Sequence, residues 1–120
     1  MQQLFIGDLS LSDGIIESVM LSESSARVEY RLWDGTRAIL RFGGVLGARD
    51  RNSAGQEVES LETDDVPLLQ IAPRDPFVTE LLEERKEGRA ADLARFAFIG
   101  SWTMKPILEI YAEEVEAQRI

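Results

Sequence analysis

Cysteine and histidine are both missing from this 120-residue chain. Without cysteine there is no disulfide, no thiolate metal site and no thiol nucleophile. That fits a reducing compartment. Without histidine, the usual base near neutral pH and the commonest metal ligand are gone. Histidine-based triads are excluded, as are zinc sites of the usual His/Cys kind. No serine in the chain therefore has a histidine to activate it. Lysine is reduced to Lys86 and Lys105, both in charged or turn contexts that do not suit a buried proton-transfer group. Long apolar runs are missing too. No window approaches the ~18 apolar residues of a membrane span, and Met1 to Asp8 lacks the basic region and apolar core of a signal peptide. The expectation is a cytoplasmic protein that is not an enzyme and takes no cofactor and no metal.

Positive charge is also in deficit. Lysine and arginine total 13 against 22 acidic residues, a formal charge of −9. Sustained contact with phosphate backbones needs a basic surface, so nucleic acid is disfavoured as a partner, and an anionic membrane with it. A basic protein partner is compatible with this field. So is the plain reading that net charge keeps a small protein soluble.

What is present is an ordinary globular supply of apolar residues, 44% of the chain. That suits one domain over residues 1–120 with its own core. The pattern predicts an α+β fold, mostly β. It has antiparallel sheet of about five to seven strands and one helix over about 76–87, between two β-rich halves.

The strongest element is a hairpin. Val28, Tyr30 and Leu32 alternate with Arg27, Glu29 and Arg31. Ala38, Leu40 and Phe42 alternate with Arg37, Ile39 and Arg41. Period two on both arms marks a half-buried antiparallel pair. A three-residue loop of Trp33, Asp34 and Gly35 keeps the apolar faces in phase and puts glycine at the left-handed bulge position. A two-residue Asp-Gly turn would set Val28 beside Arg41 and slip polar groups into the core.

Elsewhere, Leu4 to Leu11 reads as an edge strand or irregular lead-in, and Ser12-Asp13-Gly14 as a turn. Ile15 to Leu21 reads as a strand with Ile15, Val19 and Leu21 on one face. Gly43-Gly44 signals a bulge or bend. Asp75, Pro76 and Gly88 punctuate the helix, with Phe77 and Leu81 on its apolar stripe. Leu93 to Ser101 reads as a strand, with helix as the alternative. Pro106 opens a last strand whose Leu108, Ile110 and Ala112 share a face.

Two features are candidates for recognition. From Asn52 to Pro73 there is no lysine or arginine, while Glu57, Glu59, Glu62, Asp64 and Asp65 fall in that span. These acids form a docking surface, a weak site for a hard cation, or simply a solvated strand edge that charge protects from pairing. Their spacing does not match a calcium-binding loop. Trp33 at the hairpin tip and Trp102 in a loop are the other pair. Tryptophan is enriched in binding hot spots, and it also caps the ends of β cores.

Leu11-Ser12-Asp13-Gly14-Ile15, Leu40-Arg41-Phe42-Gly43-Gly44-Val45 and Leu108-Glu109-Ile110-Tyr111-Ala112 together resemble a group of small bacterial β-rich proteins. Those proteins carry an early L-H-D-x-x-I/L turn, an L-x-F-x-x-V strand and a closing L-x-I-x-A strand. Several such families are immunity proteins of polymorphic toxin systems. Ser12 stands where their histidine would. The resemblance implies a non-enzymatic binding module that neutralises a basic toxin protein, with the acidic segment as its contact surface. The alternative is a structural or small-ligand β domain acting as a homodimer through sheet-edge pairing.

Overall fold

A computed structural model describes residues 2–3, 5–6, 9–64, 76–77, 79–80 and 94–120. Its strands are β1 (Gln2–Gln3), β2 (Phe5–Ile6), β3 (Leu9–Ser10), β4 (Gly14–Leu21), β5 (Ser25–Arg31) and β6 (Arg37–Gly43). They continue with β7 (Gly47–Asp50), β8 (Glu57–Asp64), β9 (Ala94–Gly100), β10 (Pro106–Ala112) and β11 (Glu114–Arg119).

The β5–β6 hairpin has the register its alternation dictates. Val28 faces Leu40 and Tyr30 faces Ala38. The loop closes with Leu32 N–H donating to the Thr36 carbonyl at 2.7 Å, and Gly35 sits at φ 87°. Asp34 accepts from the Thr36 amide and hydroxyl, and these bonds hold its carboxyl below the usual range.

β4 departs from the expected phase. Ile16, not Ile15, is fully buried opposite Tyr30. A bulge between Ile16 and Ser18 then moves the strand by one residue, so Val19 packs on the core opposite Val28. The extra residue is Glu17, whose carboxylate meets Arg37 at 3.1 Å. A bulge changes which parity faces inward, and strict alternation cannot anticipate that.

Eight strands pair in the order β11-β6-β5-β4-β8-β9-β10-β7, and β1 adds to β8; β2 and β3 form a separate pair. This is more strand than the sequence pattern suggested. The extra strands arise because two long strands each bend into two pieces. The first runs from β6 into β7 through Gly44 at φ 61°. The second runs from β10 into β11 through Glu113. The two bent strands pair with each other along both pieces, from Ala38 against Arg119 to Asp50 against Leu108. The eight-strand path therefore folds into two layers, β11-β6-β5-β4 and β8-β9-β10-β7. They join at these bends and at a short β4–β8 pairing of Gly14 with Val58 and Ile15 with Glu57.

The core lies between the layers. Phe42 of β6 meets Phe96 and Phe98 of β9 edge to face, at 5.4 and 6.3 Å between ring centroids. Leu108, Ile110 and Ala112 are fully buried on their shared face. Of the stretch read as a strand from Leu93 to Ser101, Ala94–Gly100 is strand β9, Ser101 opens the following turn, and Leu93 lies outside the described residues.

Among the described residues helix covers Pro76–Phe77 and Thr79–Glu80 alone. The rest of the helix expected over 76–87, Lys86 included, lies outside the described residues. Phe77 lies on the outer face of the second layer, with its ring 5.7 Å from that of Tyr111.

Candidate functional site

Both exposed tryptophans stand on one rim of the fold. Arg31 of β5 pairs with Ile15 of β4, Ile15 pairs with Glu57 of β8, and the Ser101 amide donates to the Glu57 carbonyl at 3.0 Å. This row places the β5–β6 turn and the β9–β10 turn three strand spacings apart, about 14 Å. Trp33 projects from the first turn and Trp102 from the second, 69% and 86% exposed. Met104, exposed on the second turn, extends the apolar surface. Neither tryptophan caps the core.

Between the two turns lies Asp13, held at φ 62°, with its amide donating to the Val58 carbonyl at 3.0 Å. Asp and Asn are the non-glycine residues that tolerate this region best. Behind it, Gly14 lies against the face of the buried Tyr30 ring, leaving no room for a β-carbon. The Tyr30 hydroxyl donates to the Leu11 carbonyl. Burial, and then the charges of Asp13 and Glu57, push this phenol above its ordinary value.

A shallow cleft of about 250 Å³ opens beside Trp33, lined by Asp13, Ile15, Arg31, Leu32 and Gly35. It is smaller than the roughly 300–1,000 Å³ of small-molecule sites and suits a single inserted side chain. Asp13, Asp34 and Glu57 stand at this end of the strands together with Arg31 and Lys105, so apolar anchors sit in a mixed polar surround. That is the layout of a protein-binding patch.

The described acids of this segment, from Glu57 to Asp64, are strung along β8. Glu57 reaches the rim. Glu59 lies at a bulge between Val58 and Ser60. Glu62 pairs with Ala97, in the same cross-strand row as Glu109 and Arg49. Asp64 pairs with Arg95 through its backbone, and Asp65 lies outside the described residues. Glu57 to Asp64 is not a sheet edge: β8 has β9 on one side and β4 and β1 on the other. Strand neighbours so distant in sequence cannot be read from the charge pattern. Among the described residues no group of acids is placed to hold a metal ion.

One charged cluster escaped the sequence reading. Glu109 is 3% exposed on the outer face of β10. Its Oε2 accepts from Arg49 Nη2 and Arg95 Nε, each at 2.9 Å, and from the Tyr111 hydroxyl at 3.3 Å. The Arg49 guanidinium lies 4.6 Å from the centre of the Phe77 ring. Burial, then the Glu109 charge, raises the Tyr111 phenol. The available signal was Glu109 and Tyr111 alternating with Leu108, Ile110 and Ala112, which reads as a wet face until something covers it. With its carboxylate committed to two arginines, the cluster is built to join β7, β9 and β10 beneath Phe77.

Comparison of the chain with family models, with curated proteins and with solved structures gives no match in any of the three.

Proposed function

We propose that this chain is a non-enzymatic protein-binding module whose contact surface is the rim bearing Trp33 and Trp102. The observation that carries the reading is that two tryptophans far apart in sequence stand exposed on the same rim. Solvent-exposed tryptophan is costly to leave unused, and in interfaces it dominates binding energy. The net charge of −9 favours a basic partner and would speed its encounter. With the resemblance to toxin-immunity proteins, the most concrete partner is a basic toxin enzyme encoded beside this chain. Glu57 belongs to this surface; Glu59, Glu62 and Asp64 contribute to the field rather than to contact.

The test is co-expression with the product of the neighbouring gene, followed by calorimetry. Trp33→Ala and Trp102→Ala should each weaken the complex by about 10-fold or more, as hot-spot residues do. Absence of a complex, or an affinity that both substitutions leave untouched, rejects the proposal.

A further inference from the structure

We infer that the chain associates with a second copy of itself through the open edge of β4. β4 is paired on one side by β5 along its length. On the other side β8 reaches only Gly14 and Ile15, and Ile16 makes two further bonds, to Gln56 and Gly55. Among the described residues no strand covers Ser18 to Leu21 on that side.

The ladder says which backbone groups face outward. Ser22 N–H donates to the Ser25 carbonyl at 2.9 Å, so that pair is a bonded one. Bonded and non-bonded pairs alternate in an antiparallel ladder. Val19 opposite Val28 and Leu21 opposite Ala26 are therefore non-bonded pairs. Their N–H and C=O groups point to the open side.

Proteins protect such edges with charge. The two ends of the main sheet follow that rule: β7 carries Arg49 and Asp50, and β11 carries Glu114, Glu116 and Arg119. The β4 edge does not. Ser18-Val19-Met20-Leu21-Ser22 has no charge, and Met20 and Leu21 are 56% and 57% exposed. In a chain of charge −9 it is a stretch that itself brings no charge to the contact.

The occupant follows from the geometry. A two-fold axis at Met20 sets Val19 against Leu21 of the second copy as a bonded pair, and the reverse, with Met20 against Met20 between them. The interface is self-complementary, as a two-fold contact must be. It satisfies the outward groups of both strands and extends β11-β6-β5-β4 into a sheet shared by two copies. Glu17 and Glu23 would lie opposite each other across the axis, so association should strengthen as salt screens them. So short a contact belongs with weak, transient interfaces.

Sedimentation equilibrium over a concentration series tests this. The wild-type mass should rise from 13.5 kDa towards twice that value, more readily at higher salt. Met20→Lys and Met20→Glu, at an exposed position, should each keep the thermal transition and weaken self-association at least 10-fold. Mixing the two variants should restore a dimer, because the opposite charges then face each other. A wild type that stays monomeric at millimolar concentration overturns the inference. So does a dimer that neither variant weakens, or a mixture that stays monomeric while each variant is folded. Protection of the Val19 and Leu21 amides that appears only on adding another protein would also overturn it, assigning the edge to a strand donated by that protein.

Discussion

Glu109 shows how much can rest on one side chain. Its carboxylate is buried between Arg49 and Arg95, whose side chains are 26% and 16% exposed. Removing one partner of a buried pair leaves charge without compensation, which typically costs about 3 kcal/mol or more. Glu109→Ala should therefore lower stability by about 3 kcal/mol in urea titration; a loss below about 1 kcal/mol would mean that the arginines find other acceptors. Tyr30 makes a different prediction. Its phenol is raised in the folded state by burial and by Asp13 and Glu57. The contribution of the neutral phenol is thus complete below the unfolded value near pH 10, and it is lost as pH rises beyond that. Wild type should lose more stability between pH 9 and pH 11 than Tyr30→Phe does, and equal losses would show that the phenol is not linked to folding. At Ser53 the expectation reverses. Its hydroxyl is buried without a partner among the described residues. Ser53→Ala should leave stability unchanged or raise it by up to about 1 kcal/mol, and a clear drop in melting temperature would reveal a bond to that hydroxyl.

At the scale of elements, the bend between β6 and β7 lets one strand serve both layers. Gly44 takes φ 61° there, with the flexible Glu113 side chain beside it. Glu113 can move aside, so the backbone conformation sets the cost of a side chain. Gly44→Ala should cost about 1–2 kcal/mol, the penalty of left-handed backbone for a residue with a β-carbon. Gly14→Ala fails for another reason, since its β-carbon would strike the buried Tyr30 ring. Overpacking of that kind costs about 1–3 kcal/mol. If the ring yields, the Tyr30 bond to Leu11 should break, so Gly14→Ala and Tyr30→Phe should be less than additive in a double-mutant cycle. The β5–β6 hairpin was legible because its signals are local: alternating residues on two adjacent arms and a glycine where the loop needs one. The phase of β4 was not, because a single bulge at Glu17 exchanges its faces.

The whole molecule has its tryptophans in the rim and none in the core. Trp33 and Trp102 should therefore be quenched by acrylamide nearly as efficiently in the native protein as in urea. Strong protection in the native state would mean that the rim is already covered. An unfolding transition should accordingly be weak in tryptophan fluorescence and clear in the near-ultraviolet signal of buried Tyr30 and Tyr111.

The sequence by itself determined the absence of cysteine and histidine chemistry, the β character and the register of the first strong hairpin. Each follows from composition or from neighbours a few residues apart. Tertiary structure alone decided that Glu57–Asp64 becomes an interior strand, that Glu109 is buried between two arginines, that Trp33 and Trp102 share a rim, and that no described strand covers the far side of β4 beyond Ile16. All four depend on which strands lie side by side, and distant segments of chain set that order by packing their apolar faces into one core. A run of charge or an exposed aromatic carries no record of its neighbour across the sheet, so its role appears only when the strands are in place.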